Sequence, residues 1–124
     1  MLMQVWPQER VVCRLSGTDI VRAAGVNLTG LDIIEQSPQA FRKERLARYS
    51  NCFDGFIHRS VRNMPNMNGE TIRSELLILP FRDLREDGSK VALVSADWVT
   101  ERDDRLRAVS DAFIVPEFAE YLPV

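Results

Sequence analysis

The sequence predicts an α+β domain: a β-hairpin, short helical turns, one longer helix and then three strands. Three observations carry that reading. Apolar and β-branched runs stand at 10–15, 56–62, 71–81 and 91–100. One stretch of helical period lies between them, from Ser37 to Cys52, and Asn-Gly and Asp-Gly pairs punctuate the second half. A chain of 124 residues can bury one core without a disulfide or a metal, so 1–124 reads as a single domain. Its core is expected over about 4–100, with a helical tail at about 101–124.

The hairpin comes first. Gln4-Val5-Trp6 and Arg10-Val11-Val12-Cys13-Arg14-Leu15 flank a turn through Pro7-Gln8-Glu9, and the β-branched run favours a pleated strand. Gly17 ends the second strand. Thr18 or Ser16 then caps a short helix, Asp19 to Ala24, with Ile20, Val21 and Ala24 as its apolar stripe. Gly25 suits the left-handed residue that closes such a helix. Gly17 and Gly30 are separated by that helix, and no Gly-rich phosphate-loop pattern occurs, so these glycines turn the chain.

Ser37-Pro38 is a helix start, serine as cap and proline at the first helical position. In the helix that follows, Phe41, Leu46, Tyr49 and Phe53 mark the packed face, and Arg42, Lys43, Glu44, Arg45 and Arg48 mark a solvated one. After Gly55 the period changes to that of strands, at Phe56–Arg62, Thr71–Phe81 and Val91–Thr100. Their connectors, one ending in Asn68-Gly69 and the other in Asp87-Gly88, are hairpin punctuation. Leu76 to Leu79 and Val91 to Val94 are apolar at successive positions, which requires cover on both sheet faces. Leu106, Val109 and Phe113, at helical spacing in the tail, are candidates for that cover, as is a partner subunit.

Composition excludes several classes of function. With 16 basic and 18 acidic residues the net charge is −2, which supplies no cationic field for nucleic acid. A single histidine and two distant cysteines, Cys13 and Cys52, cannot build a zinc cluster. No apolar run is long enough to span a bilayer, and the chain reads as cytoplasmic with reduced thiols.

Arg14-Leu15-Ser16-Gly17-Thr18, followed by Gly25-Val26-Asn27-Leu28-Thr29-Gly30, resembles the "R-L-x-G-T … G-x-x-L-T-G" signature of a PAS-like family of short bacterial proteins. Leu79-Pro80 in the fourth strand is similar to that family's "L-P". The resemblance covers roughly residues 10 to 98. It implies a PAS-like five-stranded antiparallel sheet with short helices and one longer helix on one face, often with a small-molecule cavity between the layers. It also implies a sensory or regulatory role, through a small-molecule ligand, a signalling partner or homodimerisation, without catalysis. A constitutive adaptor dimer without ligand is the alternative from the class of binding modules.

The candidate ligand contacts are Arg14, Tyr49, Cys52, Phe56, His58 and Asp97. Arg14 offers a forked donor for a carboxylate or phosphate, or an ion pair with Asp19 or Glu35. Asn51-Cys52-Phe53 resembles part of the Asn-Cys-Arg-Phe core of flavin-binding light sensors, but the arginine is missing; haem and flavin suit the fold and no motif here supports either. His58 shares a strand face with Phe56 and Ser60, as a packed side chain, a ligand contact or a base. Asp97 interrupts an apolar strand, reaching either solvent or ligand, and a His58–Asp97 acid–base pair would define a small enzyme. Trp98 is a cavity wall or, with Leu106, Val109 and Phe113, an interface anchor.

Overall fold

The computed structural model describes residues 1–65, 71–99 and 118–123. Strands β1 (Leu2–Trp6) and β2 (Arg10–Leu15) form the hairpin, and helix α1 (Thr18–Ala24) follows. Helix α2 (Gln39–Asn51) runs into a single 3-10 turn at Cys52–Asp54. Strands β3 (Phe56–Pro65), β4 (Thr71–Leu84), β5 (Lys90–Val99) and β6 (Phe118–Pro123) complete one antiparallel sheet in the order β2-β1-β5-β4-β3-β6.

This architecture corrects the expected α+β class of five strands with a tail helix. The described residues are mostly antiparallel sheet, with six strands, and none of them beyond Val99 is helical. Phe118–Pro123, grouped with the tail in the sequence reading, instead pairs along β3 from Phe56↔Pro123 to Val61↔Phe118. The physical reason is the unpaired edge that β3 would otherwise present, which a short strand alternating Ala119 and Tyr121 with Glu120 and Leu122 satisfies. Leu106, Val109 and Phe113 lie outside the described residues, as does the side chain of Trp98.

Strand alternation and register sort the side chains into two faces. The inner face carries Met3 and Val5, Val11 and Cys13, Ala92 and Val94, Leu76 and Ile78, all buried. Ile33, Ile34, Tyr49 and Cys52 close over it to form the core. The backbone of residues 30–33 covers the free edge of β2: Gly30 donates to the Cys13 carbonyl at 2.7 Å, Cys13 to Leu31 at 3.0 Å and Ile33 to Val11 at 2.9 Å. Gly30 sits at φ +85°, a conformation that L side chains rarely adopt, so glycine is required for this return. Gly25 closes α1 at φ 76° as expected.

Two local expectations change around α2. Pro38, not Ser37, is the N-cap residue, and no side chain caps the helix. Ser37 is instead turned inward, its Oγ donating to the Ile33 carbonyl at 2.7 Å and accepting from Arg45 Nη1 at 2.6 Å. The arginine face is likewise only partly solvated. Arg48 is 3% exposed and pairs with Glu44 at 3.4 Å, while Arg42 donates to the carbonyls of Ser37 and Glu35. The Arg42 and Arg45 guanidinium groups satisfy the loop backbone leading into α2, a structural use of charge that a polar stripe does not distinguish from exposure. No helix among the described residues is long and apolar enough to cross a membrane.

Candidate functional site: a cleft where two strands part

Pro80 lies in β4, between β5 and β3, where an ordinary residue would continue the ladder. Its missing N–H weakens pairing there, and the β4–β5 register shifts between Pro80 and Leu84. The β3–β4 ladder ends at His58↔Ile78, so Phe56 and Ile57 have strand partners on β6 only. The parted ends leave a cleft of about 390 Å³, lined by Cys52, Phe53, Gly55, Ile57, Leu79, Pro80, Phe81 and Lys90. That volume falls within the roughly 300–1,000 Å³ of small-ligand sites.

The cleft draws on three local devices. The 3-10 turn after α2 brings Phe53 to its wall, and Gly55 at φ 98° reverses the chain into β3. Alternation puts Ile57 and Leu79 on the outer face of the sheet. Lys90 opens β5 opposite Val5 and holds its ammonium 5.1 Å from the centre of the Phe53 ring. No carboxylate among the described residues forms an ion pair with Lys90. The wall is therefore mostly apolar with one cation.

The six candidate contacts read from sequence do not converge on this cleft. Cys52 lines it. Its thiol is buried, donates to the Arg48 carbonyl at 3.2 Å and accepts from the His58 backbone N–H. Burial pushes the Cys52 thiol up to about 11, against the weaker opposing pull of that N–H and of Arg48. An adduct-forming cysteine needs the reverse, a lowered pKa and access, so Cys52 does not fit a flavin–thiol site. Tyr49 is core, 3% exposed.

Phe56 packs edge-on against Tyr121 with ring centres 6.1 Å apart, and the buried His58 lies tilted against the same ring at 5.0 Å. Arg14 is exposed and donates to Gln4 Oε1 at 2.8 Å, in place of the expected pair with Asp19 or Glu35. Gln4 in turn donates to Ser89 Oγ at 2.8 Å. Asp97 is exposed opposite Glu75 on the outer face, whereas His58 aligns with Ile78 and Val94 on the inner one. These two side chains point to opposite sides of the sheet, which removes the acid–base pair. Among the described residues no cluster of His, Cys, Asp and Glu is placed to hold a metal.

A second surface adjoins the cleft. Across the outer face, register aligns Leu122 with Ile57, and Leu79 with Leu93 and Leu2, with Leu15 opposite Leu2 beyond a bulge. This apolar row spans all six strands. Leu93 is 39% exposed, Leu122 41% and Leu15 63%, with Phe81 beside them at 47%. One row away, Arg59 bridges Glu75 at 3.0 Å and Glu120 at 3.2 Å.

Lys90 and Phe81 are not singled out by the sequence, in which Pro80 inside an otherwise continuous strand pattern is the available signal for the cleft, whereas the apolar row includes Leu79 and Leu93 from the two runs that call for cover on both sheet faces. No family model, no curated protein and no solved structure matches this chain.

Proposed function

We propose that this chain is a PAS-like regulatory domain that acts by association with a second copy through the outer face of its sheet. The observation that carries the reading is the apolar row from Leu122 to Leu15, which crosses each of the six described strands and is exposed at Leu122, Leu93 and Leu15. The largest apolar patch on a monomeric protein is often functional. The order of elements supports the family relationship: hairpin, short helix, longer helix, then β3, β4 and β5. Two buried free thiols suit the cytoplasm.

The face also has a size that makes the association reversible. Five strand spacings of about 4.8 Å and about six residues of strand length give a footprint of roughly 500 Å² per partner. Two such footprints total about 1,000 Å², below the roughly 1,200–2,000 Å² of stable interfaces and in the range of transient ones. A twofold contact sets the row against its own copy and leaves the Glu75–Arg59–Glu120 cluster at the rim. Because Ile57 and Leu79 belong to both row and cleft, a bound small molecule has a direct route to shifting that equilibrium, through unequal affinity for the two states.

Sedimentation velocity over a range of concentrations tests the reading. The protein is expected to move from monomer to dimer in the micromolar range, and Leu93→Glu is expected to hold it monomeric with an unchanged circular dichroism spectrum. A monomer at several hundred micromolar would refute association through this face.

A further inference from the structure

We propose that the cleft between β3 and β4 binds a monocarboxylate with a compact apolar body, its carboxylate on Lys90. The inference stands on the cleft alone and does not require the association proposed above. Phe53, Ile57, Leu79, Pro80 and Phe81 offer a ligand only apolar side chains, so the part in contact with them must be apolar too. Lys90 is the exception. It faces the Phe53 ring and has no ion-pair partner among the described residues, so its charge is available to an incoming anion.

The charge count selects the anion. One ammonium matches one negative charge, whereas a phosphate monoester brings nearly two and usually meets several donors or an arginine fork. The sequence has no Gly-rich phosphate-loop run, and among the described residues the cleft has no arginine in its lining. Its volume of about 390 Å³ suits a ligand of one ring or a short alkyl chain. Because the gap lies at the end of the sheet, it gathers Ile57 and Leu79 from the outer face together with Lys90, which aligns with Ala92 on the inner one. The ligand therefore enters where Pro80 prevents the strands from closing.

The test uses trans-cinnamate and its uncharged isostere trans-cinnamamide, titrated separately into the ¹⁵N-labelled protein. Cinnamate is expected to shift the backbone amide resonances of Phe53, Gly55, Ile57 and Lys90 saturably below ~10 mM, with cinnamamide about tenfold weaker. Lys90→Met is expected to erase that difference and Lys90→Arg to keep it. Equal affinity for acid and amide in the unaltered protein would overturn the proposal, and that comparison needs no variant. So would the absence of saturable shifts at these residues, or binding of cinnamate by Lys90→Met as tight as by the parent. Sedimentation in the presence of cinnamate reads association separately, so a failure of one proposal is distinguishable from a failure of the other.

Discussion

Cys52 makes the stability of this domain depend on alkaline pH in a way that can be calculated. Its thiol is fully buried, and burial raises its pKa from the ordinary 9.0 to about 11. Between those values the unfolded chain has released the proton while the folded chain still holds it. The unfolded state binds fewer protons there, so stability falls as pH rises from about 9 and levels off above about 11. Weighting the two titrations gives a loss of about 1 kcal/mol between pH 8 and pH 10 from this group alone.

Urea unfolding at the two pH values measures it, with Cys52→Ala as the reference that carries every other titration in the protein. The variant starts less stable because a buried sulfur is gone, but the parent is expected to lose about 1 kcal/mol more than the variant on going from pH 8 to pH 10. Cys13, also raised by burial, adds the same sign to both proteins and cancels. Parallel losses in parent and variant would refute the reasoning, because they would mean that Cys52 ionises as readily in the folded state as in the unfolded one.

Two further expectations concern packing. Ser37→Ala removes a buried hydroxyl that binds both the Ile33 carbonyl and Arg45, and is expected to cost about 2 kcal/mol, lowering the melting temperature by roughly 6–10 °C; a shift below about 2 °C would show that the hydroxyl is dispensable. Ile78→Ala, at a fully buried position in the middle of the inner face, is expected to cost about 3–4 kcal/mol by urea unfolding, whereas Leu93→Ala on the outer face at monomeric concentration costs under about 1 kcal/mol. Equal costs would mean that the two faces are not differently packed.

The elements that could be read from the sequence are those with a strong local signal. The hairpin carried β-branched residues around a turn, α2 carried a helical period, and Asp87-Gly88 marked the β4–β5 turn, with Gly88 at φ 79°. Strand β6 carried no comparable signal. Six residues after Pro116 fit either period, and the partner that decides between them, the edge of β3, is about sixty positions earlier in the chain. The site was illegible for a similar reason. Of the candidate contacts Cys52 lines the cleft, with its thiol bonded back to the Arg48 carbonyl, whereas Phe56 packs on Tyr121. The cleft lies where the β3–β4 ladder stops short of Pro80 and leaves a gap that Phe53 and Lys90 flank, a relation of register that residue type does not encode. His58 and Asp97 were brought into one hypothesis by polarity alone, and their faces were decided by the pairings with Ile78 and Glu75.

The strand order has a consequence for synthesis on the ribosome. Helix α2 and the β3–β4 hairpin form from residues near one another, but β1 joins the sheet only through β5, with the Met1 amino group meeting the Val94 carbonyl across 93 positions. Strand β6 joins only along β3, where Arg59 meets Glu120 across 61. Neither seam can zip up while the chain is short, and long-range strand pairing is slow. Until β6 has emerged, the nascent domain carries a free β3 edge. A homologous edge on a neighbouring nascent chain is then its nearest competitor, so the yield of folded protein is expected to be governed by how soon that strand arrives, more than by the strength of the finished core.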